Sequence, residues 1–390
     1  MRILFVISGL GYGGAESQLI ALAMELRRLS HEPDVYVLTD HAPRVQTLID
    51  AGVPVRVDHK STRLDLGVLI RLRCHIRATL PDVIHGFLFD GNWYSTVAAI
   101  GLVVPVYCSE RSSNYRLSLT QWLGLWTTRR FVSGVIANSE LGCRQAVAMY
   151  GLPVHRGHVV WNGLDLSNID ARVRSAVKSN RPPDNGITRR TAIVVGSFRV
   201  EKDQLLALEV AERLRRIDSN WQMWFVGDSF ERLLNYSSSE VSASVRYLSD
   251  FQRRMRELGL EDMVILTGQR NDVLELMAAA DVLLSTSRRE GSPNVVLEAM
   301  AVGLPVVATE FSDIRRLLPF DWQVVPDRSP DRLADAVCRA VVQRLDVIDR
   351  QRAWVEANAT IEGAARQSLQ IYSGHQEGIP GVGSRGEASS

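Results

Sequence analysis

Residues 3–7, Ile-Leu-Phe-Val-Ile, form an unbroken apolar run that ends at Ser8 and Gly9. A run of this length, apolar at every position and stopped by glycine, predicts a strand buried on both faces, as in a parallel sheet. It leads into Gly9-Leu-Gly11-Tyr-Gly13-Gly14-Ala-Glu16, after which Leu19, Leu22, Ala23 and Leu26 recur at helical spacing. Residues 35–39 read as a second strand that ends at Asp40. Strand, glycine loop, helix and strand open a doubly wound α/β domain. Gly9, Gly11 and Gly14 match the G-x-G-x-x-G pattern, and Asp40 stands where a ribose-binding acid would. One reading is therefore an NAD-dependent oxidoreductase. In another, Gly13 and Gly14 lack side chains so that a ligand held by a second domain can approach the backbone. The plainest reading is a tight turn with no ligand.

The same alternation restarts at Thr191, and 390 residues exceed what one core usually supports. Two domains are expected: residues 1–170, then a linker over 171–190 rich in polar residues with Pro182, Pro183, Asp184, Asn185 and Gly186, then 191–345. A helix containing Trp354 within 346–372 is expected to cross back to the first domain, and the Gly/Ser-rich tail 373–390 to be disordered. The formal net charge of +1 gives no argument for nucleic acid. Cys74, Cys108, Cys143 and Cys338 form no CxxC pair and read as buried thiols of a reducing cytoplasm. The chain starts directly on a strand, so no leader is expected, and no apolar run reaches membrane-spanning length. A membrane, if involved, would be contacted peripherally.

Two segments of the first domain could make that contact. Residues 60–77 place Lys60, Arg63, Arg71, Arg73 and Arg77 around Leu64, Leu66, Leu69, Ile70, Leu72 and Ile76. Residues 117–131 hold Trp122 and Trp126 with Arg129 and Arg130. Both patterns fit interfacial helices, and both also fit helices with a core face and a solvated face. Between them, a strand over 81–85 ends at His85, followed by a polar loop with Asp90 and Asn92 before a helix over 96–100. Open α/β sheets place ligands at such strand ends. Asp90 is the candidate base or charge stabiliser. His85, Asn92, Glu110 and Arg111 are candidates for the acceptor side, although His85 also suits a satisfied buried histidine.

In the second half, Ser197-Phe-Arg199-Val-Glu-Lys202-Asp203 follows a strand and precedes a helix. Arginine offers a fork to phosphate oxygens and lysine a point charge. Later, Glu290-Gly-Ser-Pro-Asn-Val-Val-Leu-Glu298-Ala follows the apolar strand 281–285. Ser292 is expected to be the N-cap and Pro293 the first helical residue. The free N–H groups there suit a phosphate or sugar oxygen, and the two glutamates could accept from sugar hydroxyls. No DxD, HExxH or P-loop occurs, so no metal site is expected, and cations would neutralise a leaving diphosphate instead.

Taken together, Gly13-Gly14-Ala15-Glu16, Asn162-Gly163-Leu164-Asp165, the Gly196/Arg199/Lys202 loop, Gly268 and the Glu290–Glu298 stretch resemble glycosyltransferase family 4. The resemblance runs from Arg2 to about Tyr372. It implies the GT-B fold, two Rossmann-like α/β domains facing across a cleft, and a retaining transferase with a nucleotide-diphosphate sugar as co-substrate and no cofactor. It implies that Arg199 and Lys202 stabilise the diphosphate and that Glu298 binds the ribose. Glu290 and the backbone of Gly291, Ser292, Pro293 and Asn294 would face the donor sugar. Gly13, Gly14 and Gly268 would line the donor. Many members carry a histidine where Phe87 or Asp90 stands here; both are replaced, which leaves Asp90 as the candidate for that role. The expected activity is sugar transfer to a glycan or lipid-linked acceptor in surface polysaccharide, lipopolysaccharide or glycolipid synthesis. The oxidoreductase, a non-catalytic sugar-nucleotide-binding protein, and a GT-B epimerase or phosphorylase remain alternatives.

Overall fold

A computed structural model describes residues 1–62, 64–111, 118–176, 189–228 and 238–374. Arg63, the proline-rich part of the expected linker and most of the tail lie outside the described residues.

The first half builds strands β1 (Arg2–Ile7), β2 (Glu32–Val37), β3 (Val55–Val57), β4 (Val83–Phe87), β5 (Val106–Glu110), β6 (Gly134–Ala137) and β7 (Gly157–Val159). They alternate with helices α1 (Gly14–Arg28), α2 (Val45–Asp50), α3 (Leu66–Thr79), α4 (Leu88–Ala99), α5 (Leu119–Thr128) and α6 (Glu140–Tyr150), followed by α7 (Leu166–Ala176). The second half has β8 (Arg190–Val195), β9 (Trp221–Val226), β10 (Val264–Gly268), β11 (Val282–Ser285), β12 (Val306–Thr309) and β13 (Val324–Val325). Its helices are α8 (Gln204–Ile217), α9 (Ser238–Glu257), α10 (Val273–Ala279), α11 (Asn294–Val302), α12 (Ile314–Leu317), α13 (Pro330–Val342), α14 (Arg344–Asn358) and α15 (Ile361–Tyr372).

Two parallel sheets result, in the orders β3-β2-β1-β4-β5-β6-β7 and β10-β9-β8-β11-β12-β13. The strand order reverses between β1 and β4 in the first sheet and between β8 and β11 in the second. The crevice outside the strand ends at such a reversal is where open α/β sheets bind ligands. Local chemistry sets several helix starts: Asp65, Ser139 and Thr360 accept from the backbone N–H groups of Val68, Gly142 and Gly363, as N-caps do.

Four expectations change. The stretch after β4, polar and glycine-containing in sequence, is helical from Leu88, so Asp90 and Asn92 sit in the first turns of α4 and not in a loop. Gly91 permits this, because a Cβ there would lie 2.3 Å from the Val6 carbonyl oxygen of β1. The start of the expected linker is helix α7, whose Ile169 is buried in the second domain's core. The crossing helix is two helices: α14 buries Val355 in the second domain, and α15 buries Ala365 and Ile371 in the first. Cys74 is exposed, since it lies on the outer side of α3; all four thiols are free.

The chain passes between the domains twice, side by side. Leu164 N–H donates to the Ala359 carbonyl at 2.8 Å, and Ile361 N–H donates to the Leu164 carbonyl at 2.9 Å. Gln18 of α1 bonds both the N–H and the carbonyl of Gly163, at 2.8 and 3.2 Å. A Cβ at Gly163 would lie 2.6 Å from Ile361 Cα, so only glycine lets the passes touch. Further out, Asp313 of the second domain accepts from Glu140 N–H and Leu141 N–H at the start of α6, at 2.5 and 3.2 Å, and Arg316 pairs with Glu140. A carboxylate at a helix N-terminus is favoured by the helix dipole.

Two histidines are held neutral by the first domain. Burial pushes His158 down to about 4 and His85 well below the ordinary value. Unfolded, both titrate near 6.5. As pH falls below that value, the unfolded chain binds protons that the native chain does not, so stability is lost toward acid. The expected loss is about 1.4 kcal/mol per pH unit for each histidine between roughly pH 6.5 and 5. Urea unfolding across that window should show the slope, and His158→Gln should reduce it by up to about 1.4 kcal/mol per pH unit. An unchanged slope in the variant would contradict the assignment.

Candidate functional site

The donor half is built from the loops after β8 and β11, neighbours at the strand reversal. Gly227 approaches the first loop so closely that a Cβ would lie 2.2 Å from the Gly196 carbonyl oxygen, and both glycines have positive φ (+142° for Gly227, +149° for Gly196). Lys202 forms an ion pair with Glu290, and Ser287 Oγ donates to the same carboxylate at 2.9 Å. Arg199, partly buried, shares the Lys202 loop and accepts through its carbonyl from Lys202 N–H at 3.0 Å.

The two loops are tied into one unit. Asp203, buried and left-handed at φ +47°, accepts from Arg288 Nε at 2.8 Å and from Arg328 Nη2 at 2.6 Å. Arg328 also donates to the carbonyls of Thr286 and Ser287, at 2.8 and 3.1 Å. Thr286 Oγ1 donates to the Lys202 carbonyl at 3.0 Å, and Arg288 N–H to the Glu201 carbonyl at 2.7 Å.

Helix α11 starts one residue later than expected. Pro293 is extended (ψ 101°) and caps through its carbonyl, which accepts from Val296 N–H and Leu297 N–H, so Asn294 is the first helical residue. Ser292 does not cap; its Oγ is buried and has no hydrogen-bond partner among the described residues. Glu298, in the second turn of α11, is partly buried. Burial raises its pKa, and the Arg172 charge opposes that. Gly268 ends β10 at φ +68°, and its carbonyl accepts from Gly227 N–H at 2.9 Å.

The first domain meets this edge through α1. Gly13 precedes the helix and Gly14 begins it; a Cβ on Gly14 would lie 3.0 Å from Asn294 Nδ2. Nearby, Asn162 Nδ2 donates to Asn294 Oδ1 at 2.5 Å, Arg111 Nη1 donates to Asn162 Oδ1 at 2.8 Å, and a Cβ at Gly291 would lie 2.5 Å from the Arg111 carbonyl oxygen. The glycines on both sides are therefore what allows the domains to touch. Asp40 lies at the surface beside His59 Nδ1, 3.1 Å away. The α1 start faces the second domain, which does not favour the dinucleotide reading.

The acceptor-side residues divide. His85 is fully buried, with Nδ1 2.6 Å from Tyr372 Oη. Asn92 brackets Ser109 through its N–H and carbonyl and donates to Glu110 Oε1 at 3.0 Å, and Tyr150 Oη donates to the same oxygen at 3.0 Å. His85 in the middle of β4, Asn92 in the second turn of α4 and Glu110 at the end of β5 are all buried and bond within the first domain, where the sequence had placed an acceptor surface. Arg111 reaches the cleft by its contact with Asn162; its guanidinium stacks over Phe87, and burial lowers its pKa to about 10. Asp90 pairs with Lys60 Nζ at 2.5 Å, and the lysine is nearly buried over the Tyr94 ring. Lys60, Asp203 and Arg328 were not singled out as site residues by the sequence. Lys60 lies in the loop after β3, ahead of α3, and its role depends on a contact with α4.

Arg328 braces the loops that carry Lys202 and Glu290, so Arg328→Ala should lower kcat/KM for the transfer that the resemblance implies by roughly 100-fold, the scale of a small misplacement of reacting groups. Arg328→Lys keeps the charge but not the fork and should restore thermal stability more than kcat. Wild-type kcat in Arg328→Ala would remove the bracing role.

Residues 12–168 match the family model Glycosyltransferase Family 4, and residues 189–343 match Glycosyl transferases group 1. A GDP-mannose-dependent alpha-mannosyltransferase of Mycobacterium tuberculosis is 26% identical over 367 residues, covering 85% of each chain. The putative glycosyltransferase EpsF of Bacillus subtilis is 23% identical over 322 residues, 79% of each chain. The crystal structure of Anabaena Alr3699/HepE in complex with UDP superposes with a TM-score of 0.79 at 20% identity, over 96% of this chain and 100% of that one. With two facing parallel-sheet domains, a cationic loop beside a helix start, and both halves matched by family models, the chain belongs to glycosyltransferase family 4 and is a sugar transferase of the GT-B fold.

Proposed function

We propose that the protein transfers one sugar, with retention at the anomeric carbon, from a nucleotide-diphosphate sugar to a glycan or lipid-linked acceptor. The context is the assembly of a surface polysaccharide, lipopolysaccharide or glycolipid, with the enzyme working peripherally at the inner face of the cell membrane. The observation that carries the reading is the juxtaposition of Arg199, Lys202, Glu290 and the start of α11 at one strand reversal. Arg199 and Lys202 neutralise the diphosphate as it leaves, so the reaction is read as needing no metal. A diphosphate competing for Lys202 releases Glu290 to accept from sugar hydroxyls. Glu298, shielded on the next turn, accepts from the ribose. The backbone of Gly291, Ser292, Pro293 and Asn294, with Gly13, Gly14 and Gly268, lines the donor.

Lys60 holds the Asp90 carboxylate in the first turn of α4, and that carboxylate is the group assigned to stabilise positive charge developing at the anomeric carbon. The acceptor's proton passes to the departing phosphate oxygen, and the acceptor hydroxyl takes the sugar on the face the phosphate leaves. Arg111 lies on the acceptor side of the contact. The relatives point to two donor classes to test first, since one is GDP-mannose-dependent and one neighbour was solved with UDP.

A thermal-shift panel of UDP- and GDP-sugars with NAD as control identifies the donor. At 100 times its dissociation constant the correct donor should add about 2.7 kcal/mol. Arg199→Ala and Lys202→Ala should abolish that gain and lower transfer by about 100- to 1,000-fold, and a chelator should leave transfer unchanged. Stabilisation by NAD alone, or a donor shift with neither hydrolysis nor transfer on any acceptor, would overturn the reading.

A further inference from the structure

Helix α5 turns its apolar side outward. Leu119, Trp122, Leu123 and Trp126 stand at i, i+3, i+4 and i+7, so they share one face. They are 82%, 50%, 53% and 52% exposed. The opposite side holds the helix to its domain: Leu125 and Thr128 are buried, Leu125 in a cluster with Cys108, Val135 and Tyr150. A Cβ at Gly124 would lie 3.0 Å from Trp93 Nε1, so the helix is pressed onto α4. The stripe is therefore not a core face, and no described residue covers it. Single exposed apolar side chains are ordinary, whereas four large ones on consecutive turns mark a contact surface.

The charge beside the stripe says what kind of contact. Residues 119–131 contain Arg129 and Arg130 and no acid, in a chain with 45 basic and 44 acidic residues. The Arg129 guanidinium lies 5.8 Å from the Trp126 ring centroid, and Arg130 lies 5.0 Å from that of Phe131. Both arginines are exposed. Tryptophan at the edge of an apolar stripe, with arginine next to it, matches the boundary between acyl chains and headgroups. The arginines add attraction for negative lipid. In the same helical layer, α3 also exposes Leu66 and Ile70.

We propose that α5 docks on an anionic lipid bilayer, with Leu119, Trp122, Leu123 and Trp126 entering the acyl boundary and Arg129 and Arg130 held at the headgroups. The assignment rests on the reading that the enzyme works at a membrane, and it names the surface and the lipid charge. Because α5 packs on α4, whose first turn carries Asp90, docking would hold the acceptor half of the cleft close to a lipid-borne acceptor.

The test is co-sedimentation of the full chain with phosphatidylglycerol/phosphatidylcholine vesicles and with phosphatidylcholine alone. Wild type should partition onto the anionic vesicles, less so at high salt. The double variant Trp122→Glu, Trp126→Glu should lose about ten-fold or more of that partition. Arg129→Glu, Arg130→Glu should lose it and its salt dependence. The donor-induced thermal shift, preserved in each variant, shows that the fold and donor site are intact. Partition of either double variant equal to wild type overturns the proposal. So does a wild type that ignores vesicles but forms a dimer dissolved by Trp122→Glu, which would make a second copy the occupant. Failure of the transferase reading registers separately, as a wild type without any donor shift.

Discussion

The double crossing of the chain at Gly163–Leu164 and Ala359–Ile361 is the constraint on which the site depends. Each sheet presents its own strand reversal, but neither alone closes a cleft. The two passes share backbone hydrogen bonds, Gln18 pins the first to α1, and a side chain on Gly163 would force them apart. Helix α14 stays on the second domain and α15 returns to the first, so the strand reversals are held face to face. Gly14 and Gly291 then remove the side chains that would otherwise keep α1 and the α11 loop separated.

Within that frame, charge is arranged in tied pairs. Lys202 is matched by Glu290, Lys60 by Asp90, and the arginines 288 and 328 by Asp203. A buried ion pair is weak evidence for stability, because desolvation offsets much of the attraction, but it does hold its loops in one register. Asp203 does so for the Lys202 loop at left-handed φ, a conformation that costs energy and persists only where its surroundings enforce it. The consequence is a donor edge assembled before any ligand arrives, the condition for charges to stabilise a leaving group without reorganising.

Much of the fold was legible because parallel α/β architecture is written locally. Apolar runs of four to six residues, glycine at their ends and helical spacing after them repeat through both halves; the runs expected at 3–7 and 281–285 are β1, Arg2–Ile7, and β11, Val282–Ser285. The family features Gly13-Gly14, Arg199/Lys202 and Glu290/Glu298 are short and local in the same way. Legibility failed where a tertiary contact overrode composition. The glycine- and asparagine-containing stretch after β4 reads as a loop, yet it is helix, because Gly91 lets α4 lie directly on β1. Ser292 has the chemistry of a cap, but the extended Pro293 takes that position.

The sequence by itself determined two doubly wound domains and their alternation, which follow from hydrophobic period and glycine placement within about thirty residues, while the resemblance of its short motifs pointed to the family and to the donor-side loops. The tertiary structure decided what the isolated polar residues do. His85 is buried and bonded to Tyr372, 287 residues away; Asp90 is paired with Lys60, 30 residues earlier; and Asp203 is met by Arg328, 125 residues later. The physical reason is that a side chain's protonation, partner and accessibility are set by what packs against it in space. Spacing along the chain encodes the scaffold and carries no record of those contacts.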